Sequence, residues 1–259
     1  MIDLLAVESD ILAVGRRVAD LVRAAPDGAA GVKGLTWSIA EVAAHVATVL
    51  DWRSYAAAVF DVSAPGLHPA YNEQKLRQFT ERDLGVLARV IEDRAAEAVE
   101  QLGDDANRRV YEFGIQRTIA SYAGLLLGEL VIHGRDLART LHQRWPISPD
   151  RARTVFYAGT EVLPYLVDRD VARGLQGVYE IRLRRGMPIF IRVNDSRVSV
   201  SLGDPPGYID LHVSGEPVAY MLVGYGRMSE WRAALTGKIV TWGPRPWLAL
   251  PLRRLFVKL

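Results

Sequence analysis

The chain has 259 residues, 49% of them hydrophobic, with 32 basic and 30 acidic side chains and no cysteine. The apolar content suffices for one large or two ordinary domains with buried cores. The missing cysteine excludes disulfides, thiolate metal ligands and a cysteine nucleophile.

Residues 3–24 repeat leucine and valine at helical spacing, from Leu4 and Leu5 through Ile11 and Val18 to Val22. Pro26, Gly28, Gly31 and Gly34 then mark a loop. Ser38 with Glu41 three residues on forms a capping box, which starts a second helix expected to run to about Phe60. Pro65, Gly66 and Pro69 make 61–72 a loop long enough to rim a site. A third helix is expected over 73–102, ending at Gly103, and a fourth from near Thr118 to about Leu141. Ser148-Pro149-Asp150 reads as an N-cap with proline in the first turn, opening a helix that ends before Arg173-Gly174.

The texture then changes. Val178–Leu183, Ile189–Val193 and Val198–Leu202 are short β-prone runs parted by Gly186 and by Asn194-Asp195-Ser196, which predicts an antiparallel meander. Ile209–Val213 is a further strand, Pro217–Tyr225 a helix, Lys238–Trp242 a strand and Pro246–Val257 a terminal helix. Charge divides the same way. Residues 1–150 hold 16 basic and 21 acidic side chains, and the remainder 16 and 9. The expected organisation is an all-helical bundle over 1–173 followed by a small α+β domain over 174–259 with an antiparallel sheet.

Three side chains point to metal chemistry. Glu129 and His133 stand four apart on the fourth helix and therefore share a face, and His45 lies in the apolar second helix. Two helices packed side by side close these three on one divalent ion and leave a position open for water or substrate, as catalytic zinc sites do. A core histidine bonded to a backbone carbonyl also accounts for His45. The capping box explains Glu41 fully, so Glu41 stays outside the set. Asp136, three beyond His133, is placed either to orient a ligand histidine or to pair with Arg135 or Arg139 on the helix surface. His68 sits in the loop after the second helix, His142 at a helix C-terminus that suits an imidazolium, and His212 in an alternating strand.

Other chemistries find little support. There is no nucleophile elbow and no glycine-rich phosphate loop. Arg182, Arg184, Arg185, Arg192 and Arg197 are scattered along strands and suit a solvated sheet face, or bidentate contacts to an anion. No helix-turn-helix or stacking platform is present, which argues against nucleic acid. No apolar run reaches membrane-span length, and the charged start MIDLLAVESDIL lacks a signal-peptide core, so the chain reads as cytoplasmic without stable membrane insertion. The tail PWLALPLRRLFVKL is amphipathic and basic, and either packs on the second domain or lies at an interface.

WSIAEVAAHV (37–46) resembles the tryptophan, polar turn and histidine-bearing helix of the mycothiol-dependent maleylpyruvate isomerase family, and LGELVIHGRDLA resembles that family's second motif. The resemblance implies a DinB-like four-helix bundle in which His45, Glu129 and His133 bind a divalent metal, usually zinc. GYGRMSEWRAALTGKIVTWG resembles part of the family's sterol-carrier-like C-terminal domain and makes Arg227 the position for holding an anionic substrate. The implied activity uses metal-activated mycothiol to isomerise, or to add to, a small electrophile such as an anionic unsaturated acid, as isomerase or S-transferase. The contrasting expectation is a non-catalytic binder of a lipid or other small molecule on the same two domains.

Overall fold

The computed structural model describes residues 2–51, 67–112, 114–203 and 207–257. The chain divides into two compact units at Ile147/Ser148.

In the first unit, α1 (Leu4–Arg23) is capped by Asp3, whose carboxylate accepts from the Ala6 amide. It buries one stripe, including Val7, Ile11, Val14 and Val18. The expected capping box is present at α2 (Ile39–Leu50): the Ser38 hydroxyl accepts from the Glu41 amide, and the Glu41 carboxylate accepts from the Ser38 amide. The helix ends at Leu50, and the extension expected to Phe60 lies outside the described residues. The loop expected over 61–72 lies outside them as far as 66, and 67–72 belong to α3.

The single helix expected over 73–102 is two, α3 (Leu67–Gln78) and α4 (Leu84–Leu102). Polar chemistry in 79–83 makes the break. The Arg82 guanidinium donates to the carbonyls of Leu76 and Phe79 and closes the end of α3, and the Asp83 carboxylate accepts from the Val86 amide and opens α4. A two-stranded hairpin that the sequence did not announce, β1 (Arg109–Glu112) against β2 (Ile115–Thr118), leads into α5 (Ile119–Thr140). α1 and α2 each pack against both α4 and α5, so these four helices form the bundle. α5 is its centre, buried over most of its circumference.

The second unit opens with α6 (Pro149–Thr160), capped by Ser148 with Pro149 in its first turn as expected. It ends at Thr160, before 173, because Pro164 follows in a 3₁₀ turn (Leu163–Tyr165) that cannot extend the helix. A short α7 (Arg169–Ala172) follows. α6 packs against α8 (Pro217–Gly224), with Phe156 and Tyr220 meeting edge to face at 5.4 Å. The boundary therefore falls 26 residues earlier than the expected 173, a helix having gone to the second unit.

The sheet holds β3 (Gln176–Leu183), β4 (Pro188–Asn194), β5 (Arg197–Leu202), β6 (Leu211–Gly215) and β7 (Ile239–Trp242), in the order β5-β4-β3-β6-β7. The meander β3-β4-β5 is antiparallel as expected, with Asp195 and Ser196 both at positive φ in its two-residue turn. The β3–β6 pairing is parallel, so the sheet is mixed. One face carries Tyr179, Ile181, Ile189, Ile191, Val193, Leu211 and Val213 into the core. The terminal helix expected over Pro246–Val257 is a 3₁₀ turn (Pro246–Leu248), a short α10 (Ala249–Leu252) and a turn through Arg253 and Arg254. Phe256 there bridges to Val167. Pro251 has no amide to continue a helix, and Leu248 and Leu255 anchor the segment to the core. α9 (Glu230–Leu235) lies between α8 and β7.

Candidate metal centre

The site grows from the N-terminus of α2. The loop before it folds back, with the Ile39 amide donating to Ala30 O (2.9 Å) and the Ala40 amide to Gly28 O (2.9 Å). The Val32 amide donates to Trp37 O (2.9 Å), and together these bonds fix Trp37 just ahead of the cap. Its ring packs on His45 (4.9 Å between centroids) and reaches His133 at 6.5 Å. α2 is itself tied to α4 by the Arg94 guanidinium, which donates to Ala47 O at 2.7 Å.

The structure brings His45, Glu129 and His133 together. One potential ligand atom from each lies within 4.8 Å of the others. Both histidines aim Nε2 at the same carboxylate oxygen: His45 Nε2 is 3.4 Å and His133 Nε2 3.3 Å from Glu129 Oε2. The imidazoles meet edge to face at 4.8 Å. His45 is 2% and His133 7% exposed, whereas the Glu129 side chain keeps 29% of its surface, so the cluster is closed on the histidine side and open at the carboxylate. Burial pushes the Glu129 carboxyl up. Hydrogen bonds and charge from His133 and His45 outweigh it and hold the group well below the usual carboxylate range.

Two imidazoles and a carboxylate form a donor set suited to a divalent cation. Among the described residues, His133 Nδ1 is buried without a hydrogen-bond partner. The nearest acid is Asp136, 2% exposed, with Oδ2 at 4.0 Å from that nitrogen and Oδ1 at 3.7 Å from Arg135 Nη1. Both separations exceed hydrogen-bond length. Gly134 sits beside His133, with the Trp145 ring laid against it and the Trp145 Nε1–H donating to Val131 O at 3.0 Å.

Other expected positions fall elsewhere. Arg227 follows α8 in the second unit, and its Nη1 donates to Tyr225 O at 2.9 Å. The His68 side chain lies outside the described residues. His142 has positive φ (55°) just beyond the end of α5, with the Gln143 amide returning to Ala138 O. Arg184 pairs with Glu216 at 3.1 Å.

One polar cluster escaped the sequence reading. Glu180, on the sheet face away from the core, accepts from Arg182 Nε (3.1 Å) and from His212 Nδ1. Trp242 stacks on His212 at 5.2 Å. Burial pushes the Glu180 carboxyl up, while the His212 and Arg182 hydrogen bonds and the guanidinium charge bring it below its ordinary value. Outward positions in alternating strands were legible. Their meeting depends on the parallel β3–β6 pairing, which joins distant segments.

This is a helical bundle in which α2 and α5 converge two histidines and a glutamate, a donor set of the kind that suits one divalent cation. Residues 11–138, which contain all three cluster residues, match the family described as the mycothiol maleylpyruvate isomerase N-terminal domain. This bundle belongs to that family. Among solved structures, the mycothiol-dependent maleylpyruvate isomerase is 13% identical with a TM-score of 0.53, and 94% of this chain aligns with 96% of that one. A histidine-to-alanine mutant of that isomerase aligns at 12% identity with the same score and coverage. At this identity the likeness is one of fold, and it extends through both units. A stereoselective inverting sec-alkylsulfatase from Pseudomonas sp. aligns at 12% identity and a TM-score of 0.35, over 84% of this chain but only 30% of that one. No curated protein matches the sequence. Among the described residues no helix is long and apolar enough to cross a membrane.

Proposed function

We propose that the chain is a divalent-metal-dependent enzyme that uses mycothiol to isomerise, or to add to, a small electrophilic substrate. The observation that carries this reading is the convergence of two buried Nε2 atoms on the one open carboxylate, Glu129. His45, Glu129 and His133 hold the ion, which we read as zinc from the nitrogen and oxygen donors. Asp136, the nearest carboxylate to His133 Nδ1, orients that imidazole. A divalent ion held by these three residues would lower the pKa of a thiol and so supply a thiolate at neutral pH.

The chain's own residues do the rest. Trp37 walls the histidine side of the cluster with apolar surface, which excludes water from the imidazoles. The exposed edge of Glu129 marks where a thiol and substrate enter. With no cysteine in the sequence, the thiol is a cosubstrate. Arg227, in the unit read as sterol-carrier-like, holds an anionic group of the substrate through its guanidinium. For a cis unsaturated acid, thiol addition across the double bond, rotation and elimination of the same thiol yield the trans isomer.

The test is an assay of the purified chain with mycothiol and maleylpyruvate, read by loss of the cis isomer. Thiol-dependent turnover that a chelator abolishes and added zinc restores is the expected result. A thiol adduct that accumulates without isomerisation assigns the transferase branch. Turnover indifferent to thiol and chelator contradicts the proposal.

A further inference from the structure

The second unit presents an apolar and cationic surface that the metal cluster does not use. α9 turns Ala233 into the core and Trp231 and Leu235, one helical turn apart, outward, with 61% and 87% exposed. The terminal segment buries Leu248 and Leu255 and turns out Trp247 and Leu250, 59% and 58% exposed. The two segments adjoin. Arg253 pairs with Glu230, and its guanidinium lies 4.8 Å from the Trp231 ring. Single exposed apolar side chains are ordinary, but these two segments, joined through Arg253, expose four large ones.

The two segments themselves carry Arg232, Arg253 and Arg254 against one acid, Glu230, which Arg253 engages, while the neighbouring Lys238 and Arg245 pair with Glu216 and Asp210. Among the described residues, Arg232 and Arg254 have no acidic partner. Indoles favour the headgroup level of a bilayer, where the ring is half wet. Peripheral segments that bind anionic lipid combine an apolar face with arginines. We propose that this face docks reversibly on an anionic lipid surface, with Trp231, Leu235, Trp247 and Leu250 at headgroup depth and Arg232 and Arg254 on lipid phosphates. The free guanidiniums favour a phosphate-rich surface over an apolar protein groove, which would leave them unpaired.

The test is co-sedimentation of the full chain with vesicles of phosphatidylcholine alone and of phosphatidylcholine mixed with phosphatidylglycerol, at low and high salt. Binding to the mixed vesicles only, reversed by salt and accompanied by a blue shift of tryptophan emission, is expected. Replacing Arg232 and Arg254 with Gln should weaken partitioning about fivefold per arginine, and Leu235→Gln with Leu250→Gln should weaken it further. Circular dichroism checks the fold of each variant; if one unfolds, the two vesicle compositions decide with the unaltered chain. Absent or equal binding overturns the proposal. So does a tryptophan shift without vesicles that tracks formation of a dimer in light scattering, which assigns the face to a second copy.

Discussion

At the scale of single residues, the site depends on how two imidazoles are held. His45 Nε2 and His133 Nε2 face one carboxylate oxygen within 3.4 Å, an arrangement that neutral polar packing does not require. If Asp136 orients His133, Asp136→Asn should lower metal affinity by about 10–100-fold, read by competition with a chromogenic chelator, while the folded signal persists. Glu180 gives a prediction of a different kind. Its carboxyl is depressed in the folded chain, so its contribution to stability is complete above the ordinary carboxylate range and is lost as pH falls through the lower folded value. Denaturant midpoints measured across that acidic window should fall, and Glu180→Gln should flatten that dependence. An unchanged slope would remove the His212–Glu180–Arg182 cluster as its source. Glu129 and His133 were legible as a pair because four-residue spacing fixes a shared helix face before any tertiary structure is known, whereas His45 joins them only through the packing of α2 on α5. The Glu180 cluster was not, because its partners meet only when β3 and β6 pair in parallel.

At the scale of elements, caps told more than hydrophobic periodicity. Ser38, Thr118 and Ser148 each start a helix where the sequence placed one, and each side chain accepts a backbone amide. Ser38→Ala should cost about 1 kcal/mol in denaturant unfolding, and because this cap follows Trp37, metal affinity should fall with it. The same chemistry at Asp83 was masked by the apolar residues on either side, which made 73–102 look continuous. The four-residue strands of the β1–β2 hairpin are too short to show a clear alternation. Gly134 is another requirement that periodicity does not reveal. A Cβ there would lie 2.2 Å from the Trp145 ring, whose indole is held by Val131 O and flanked by Arg17. Gly134→Ala should therefore destabilise the bundle by about 1–3 kcal/mol. A neutral result in urea unfolding would show that Trp145 can swing clear.

At the scale of the whole molecule, the change from helices to short strands falls where the sequence put it, at β3, while the compact unit around that sheet also takes in α6. α6 has the periodicity of a bundle helix, and only its packing on α8 assigns it to the second unit. The motifs in 37–46 and 127–138 pointed to the family that residues 11–138 match, and the likeness of fold covers 94% of the chain. The proposed function requires the bundle to hold a divalent ion on His45, Glu129 and His133. Elemental analysis of the purified chain and of His133→Ala, with circular dichroism to verify the fold, tests it most directly. Near-stoichiometric divalent metal, with zinc foremost, is expected in the unaltered chain, and its loss in the folded variant. Unaltered protein that neither carries nor rebinds a divalent ion, or a variant that keeps the full complement, would contradict it.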